Sequence, residues 1–168
     1  MYEAVKSSDN TKAPNAYHDY VLSQIKQYDS REGSIATDYL ANDMTWLVVS
    51  QKLKDILDEL NTKIQYFKVK IQDEKGKKLN GNYYVANIIN LVDSLCLHES
   101  DYFETDIEGI GTIYTISKFA IYGNKVGEND VFKLLNRQEI PIFVSERFKK
   151  IVEERQITGM EFLEVKII

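Results

Sequence analysis

Trp46-Leu47-Val48-Val49-Ser50-Gln51-Lys52-Leu53-Lys54-Asp55-Ile56-Leu57 returns later in the chain as Pro141-Ile142-Phe143-Val144-Ser145-Glu146-Arg147-Phe148-Lys149-Lys150-Ile151-Val152. The two copies align Ser50 with Ser145, an offset of 95 residues. Each opens with a short apolar run of strand character, and a serine then stands where a helix should begin. A hydroxyl there accepts a hydrogen bond from an otherwise unpaired N–H of the first turn, worth about 1 kcal/mol. Leu53, Ile56, Leu57 and Leu60 follow at i, i+3, i+4 and i+7, which is one apolar face of a helix. Phe148, Ile151 and Val152 repeat that stripe, but Arg155 takes the fourth place. The second helix is therefore expected to be shorter or less deeply packed at its end.

Beyond each helix the pattern changes period. Asn61 and Gly159 are candidates for the left-handed conformation that reverses a chain after a helix. Phe67, Val69 and Ile71 then alternate with Lys68, Lys70 and Gln72, and Leu163, Val165 and Ile167 alternate with Glu164 and Lys166. Period two predicts a strand with one buried face in both copies. Between the copies the chain reads as β-rich. Asn80-Gly81 is a hairpin signal, Tyr83 to Leu91 and Gly111 to Tyr122 read as strands, and Val131 to Leu134 adds a short one. The fold class expected is α+β: a single compact domain with two similar strand-helix-strand units joined by a β-rich middle.

The chain has 168 residues, 43% of them apolar, which is ample for one core of ordinary size. No Gly/Ser/Pro-rich linker divides it. Residues 1–35 are read as a variable N-terminal segment with a short amphipathic helix from Tyr17 to Tyr28 and a loop at Ser30 to Ser34, and 36–168 as the folded domain. Cys96 is the sole cysteine and lies in an apolar run, as a buried thiol in a reducing compartment would. No signal peptide and no apolar stretch of about 20 residues is visible, so a cytoplasmic location with no membrane partner is expected. A net charge of −5 argues against a nucleic-acid partner. Between Lys78 and Lys118 there is no Lys or Arg, yet Asp93, Glu99, Asp101, Glu104, Asp106 and Glu108 fall there. Such a run is either a solvated face or a surface that attracts a basic partner.

No residue pattern supplies an active site. His98, Glu99 and Asp101 could supply three donors to a zinc ion, but neighbours on a strand face opposite ways, so His98 and Glu99 would converge only in a loop. A Ser-His-Asp set drawn from Ser100 or Ser145, His98 and Asp93 carries no weight without geometry. Cys96 and His98 would share a face on a strand, but the flanking leucines point to burial. Gly109-Ile110-Gly111 lacks both the third glycine and the helix of a dinucleotide fingerprint. No catalytic residue, no metal and no cofactor is expected.

Three stretches together resemble a known family. Thr37-Asp38-Tyr39-Leu40-Ala41-Asn42-Asp43 with Val48 to Leu57, then Tyr83-Tyr84-Val85 leading to Val92-Asp93-Ser94-Leu95 and Glu99-Ser100, and finally Ile142 to Lys149 with Thr158-Gly159-Met160-Glu161-Phe162, look like an immunity-protein family of bacterial polymorphic toxin systems. The likeness covers residues 36 to 168, and Cys96-Leu97 departs from it where an acidic residue is common. The resemblance implies a non-catalytic protein made beside a cognate toxin, which it binds and neutralises. The contact expected from charge is Glu99, Asp101, Glu104, Asp106 and Glu108. A general protein-interaction module and a hydrolase built on His98 are the alternatives, and homo-oligomerisation is left open.

Overall fold

The computed structural model describes residues 36–40, 46–60, 62–72, 78–135 and 141–168. The helix expected at 17–28, the loop expected at 30–34, the segment 1–35 expected to be variable and the expected turn residue Asn61 lie outside the described residues. Strands β1 (Tyr39–Leu40), β2 (Val48–Ser50), β3 (Ile64–Val69) and β4 (Tyr83–Ile88) form one antiparallel sheet in the order β1-β2-β4-β3, and helix α1 (Gln51–Glu59) runs from the end of β2. Next come β5 (Leu91–Val92), a 3-10 turn (Leu97–Glu99), β6 (Asp101–Ile107), β7 (Gly111–Lys118), β8 (Ala120–Ile121) and a short helix α2 (Gly123–Val126). The second copy follows as β9 (Val131–Leu134), β10 (Phe143–Val144) and α3 (Glu146–Glu154), and β11 (Lys166–Ile167) closes the order. The fold is α+β, as expected.

The continuous apolar runs of the two copies exist because their strands are covered on both faces. Val49 joins Leu53, Ile56 and Leu57 of α1 and Phe148 and Val152 of α3 in one core, whereas its neighbour Val48 packs with Val69, Tyr83 and Val85 on the other side of the sheet. Val131 and Phe132 divide in the same way between the shared core and a smaller one around Leu134, Phe143 and Ile121. The duplicated units are thus interleaved in one core.

Both predicted N-caps are present. The Leu53 N–H donates to Ser50 Oγ at 3.2 Å and the Phe148 N–H to Ser145 Oγ at 3.1 Å. The structure also shows that the repeat is longer than it reads. Ser50 Oγ donates to Asp38 Oδ1 at 2.7 Å, and Ser145 Oγ donates to Asp130 Oδ1 at 2.5 Å. In each copy the serine N–H also donates to the carbonyl of that same aspartate. Each copy is therefore Asp, strand, strand, Ser, helix, with β1 against β2 and β9 against β10 in equivalent antiparallel registers.

The two aspartates differ in what takes their second oxygen. Asp130 receives Arg147 Nη1 at 2.9 Å, from the helix its own serine caps. Asp38 receives the N–H and the hydroxyl of Thr158 at 3.0 and 3.1 Å, from the turn that follows α3 of the other copy. Burial pushes the Asp38 carboxyl up, but the hydrogen bonds from Ser50 and Thr158 and the charge of Lys52 outweigh it and hold the pKa below the ordinary 3.8. A depressed pKa stabilises the fold above the unfolded value, and that contribution disappears as pH falls through the folded one. Asp38→Asn is expected to cost about 1 kcal/mol at pH 7, a solvent-screened hydrogen-bond value. In urea titrations the gap between the two proteins should begin to narrow below about pH 4 and go on narrowing as pH falls; a gap unchanged between pH 7 and pH 3 would exclude the charge as its source.

Four expectations need correction. Helix α3 is not shorter than α1: both have nine residues, and Arg155, at the C-cap place that Leu60 takes in α1, makes a two-point ion pair with Glu59 at 2.8 and 2.5 Å. Only the shallower packing of its end holds, Arg155 being exposed. The left-handed residue that reverses the chain after α3 is Gln156 (φ 53°), with the Ile157 N–H on Val152 O and the Gln156 N–H on Glu153 O. Gly159 is also left-handed, at φ 87°, but serves a later contact. The strand expected at 163–167 shrinks to Lys166–Ile167, with Leu163 91% exposed. In the first copy β4 pairs with all six residues of β3; in the second only β8, two residues long, pairs with the corresponding segment, and in parallel.

The hairpin β3–β4 exists, but Asn80-Gly81 is not its turn. The bridge Gln72–Lys78 carries the pairing further, so Asn80 and Gly81 form a bend on the returning segment before β4, with Gly81 at φ 113°.

Candidate functional site

Strands β6 and β7 form a two-stranded ribbon that shares no ladder with any other sheet among the described residues. Its tip uses the Gly-x-Gly that looked like a broken nucleotide fingerprint. The Ile110 N–H donates to Ile107 O at 3.0 Å, and Gly109 and Gly111 take φ of 80° and 98°, which a side chain would disfavour.

The foot of this arm is built from the Glu99-Ser100 step. Ser100 is buried, donates its hydroxyl to Cys96 O at 2.8 Å and accepts the Ala120 N–H at 3.0 Å, so one side chain ties the entry of β6 to the exit of β7. Cys96 and Tyr122 bond across to Ala120 and Ser94, and Lys166 and Ile168 bond to Phe119 and Ile121 from the other side. The arm therefore springs from a strand held on both edges.

Of the five acidic residues expected to form the contact, the structure divides two from three. Glu99 lies at the foot and pairs with Lys166 at 2.5 Å, and this hydrogen bond and charge hold its carboxyl below the ordinary range. Asp101 pairs with Lys118 at 3.0 Å. Glu104 and Asp106 project from one face of β6 and Glu108 from the tip; among the described residues none of the three has a cationic partner, and Asp106 accepts only from the Thr112 hydroxyl at 2.6 Å. Residues 101–117 carry four carboxylates and no Lys or Arg. On the same face Tyr102 and Tyr114 meet edge to face, 5.5 Å apart.

Reading the sequence missed the other face. Register places Phe103 opposite Thr115, Thr105 opposite Ile113 and Ile107 opposite Gly111. The signal was available: Phe103, Thr105 and Ile107 alternate with acids directly before the glycine turn.

The residues weighed for catalysis do not assemble. The hydroxyls of Ser100 and Ser145 are committed to backbone and to Asp130. Cys96 and His98 do meet, but Cys96 is buried, and its sulfur lies 3.6 Å from Nδ1 and 3.7 Å from Nε2 of an exposed His98. A thiol aligned with one ring nitrogen would sit much farther from the other, so this is contact with the ring and not an activated pair. No cluster of three or more metal-ligating side chains occurs among the described residues, and no helix among them is long and apolar enough to cross a membrane.

No curated protein matches this chain. The immunity protein family Imm11 matches residues 7–167. That span takes in the duplicated Asp-Ser units, the serine-tied foot and the acidic arm alike, and by it the chain belongs to the Imm11 immunity protein family.

Proposed function

We propose that this protein binds and neutralises a cognate toxin of a bacterial polymorphic toxin system, in the cytoplasm, by obstructing it and without chemistry of its own. Family membership supports the immunity role, and the hydroxyls of Ser100 and Ser145, the serines weighed for catalysis, are engaged in structural hydrogen bonds. The observation that carries the choice of surface is the arm: Glu104, Asp106 and Glu108 stand on an exposed ribbon with no cation among the described residues to neutralise them. A field of one sign draws an oppositely charged partner and discriminates against others. A basic toxin is the partner that fits.

Reversing charge at Glu104, Asp106 and Glu108 to Lys is expected to weaken binding to the toxin encoded beside this gene on the order of 100-fold and to flatten its dependence on salt. Calorimetric titration at two ionic strengths measures both. Unchanged affinity would remove the arm's acidic face from the interface.

A further inference from the structure

The arm exposes more apolar surface than its acids account for. Phe103 is 69% exposed, Ile107 39% and Ile113 38%, all on the face opposite Glu104 and Asp106, and Ile110 at the tip is 73% exposed. The half-buried apolar groups of the ribbon, Tyr102, Tyr114 and Ile116, are all on the acidic face. A two-stranded ribbon is marginal in water unless a third element covers one side. Here the side that no other described element covers carries a phenylalanine and two isoleucines, the kind of residues that anchor protein interfaces.

We propose that this second face is a docking surface, and that the arm seats as a wedge, Ile110 leading, in an apolar depression of a basic partner protein. The inference rests on the toxin-binding reading and adds to it that the contact is two-sided, apolar on one face and ionic on the other. Charge selects the occupant. A second copy of the chain would bring eight carboxylates together from two ribbons that have no Lys or Arg between residues 101 and 117. A partner with cations around an apolar recess satisfies both faces at once. The serine-tied foot fixes the arm before it binds, which lowers the entropy lost on docking.

The test is the double variant Phe103→Ser/Ile113→Ser in the full chain, titrated against the toxin encoded beside the gene. Binding is expected to weaken on the order of 100-fold with the salt dependence unchanged, the reverse of the signature of charge reversal. If the native chain binds and the double variant binds within about threefold of it, the apolar face is not in the interface and the wedge is wrong, while the immunity reading stands. If the native chain does not bind that toxin, the immunity reading fails and the inference with it. Thermal melting and sedimentation of the variant separate the other occupants. A large drop in melting temperature would mean the face is already covered by the chain itself, and conversion of a dimer to a monomer would mean it is covered by a second copy; either overturns the proposal.

Discussion

Truncating Phe148 to alanine is expected to lower one cooperative unfolding transition by on the order of 10 °C, and truncating Leu53 should lower that same transition. The two residues hold equivalent places, each three residues after its capping serine, and each is essentially buried, at 1% and 0% exposure. Both lie in a single core with Val49, Ile56, Val131 and Val152. Phe148 also meets Phe162 edge to face at 6.4 Å, so its removal opens a cavity lined by both copies. Emptying such a site costs roughly 3–5 kcal/mol for Phe and about 2–5 for Leu. For a chain of this size each kcal/mol moves the melting temperature by about 2–4 °C. Calorimetry decides the matter: two transitions, only one of them shifted by each variant, would mean that the duplicated units fold independently.

That interleaving was partly legible. The serine caps, the helix stripes and Val131–Leu134 were local signals, and local physics determined them. The aspartates that receive the serines were not legible, because they stand 12 and 15 residues upstream across a strand pair, and the differing spacing hides the match at a fixed offset. The strand expected at Leu163 failed for the opposite reason. Its alternation is as good as that of Phe67 to Ile71, but alternation states which face would be buried, not whether a sheet is there to bury it. The acids of the arm were found from charge alone. Their division into a neutralised foot, Glu99 and Asp101, and an unneutralised arm depends on Lys166 and Lys118, and the Lys166 contact joins residues 67 apart in sequence.

The cross-copy contact at Asp38 also explains why a glycine stands at position 159, after the second of the two repeated helices. Tyr39 N–H donates to Thr158 O at 3.0 Å, Asp38 N–H donates to Thr158 Oγ1 at 3.1 Å, and the next residue, Gly159, passes so close that a Cβ would stand 2.3 Å from Tyr39 O and 2.8 Å from Thr37 Oγ1. Tyr39 O cannot retreat cheaply, being backbone at the start of β1 and acceptor for the Thr37 hydroxyl. Gly159→Ala is therefore expected to cost roughly 3–5 kcal/mol: about 1–2 for a side chain at φ 87° and the rest for parting β1 from the Thr158 turn. Gly109→Ala at the arm tip is the internal comparison, since its φ is 80° but nothing lies within 4 Å of the added carbon. That variant should lose only the conformational share, about 1–2 kcal/mol. Equal losses in urea denaturation would show that backbone conformation, and not the close approach of the two copies, is what Gly159 provides.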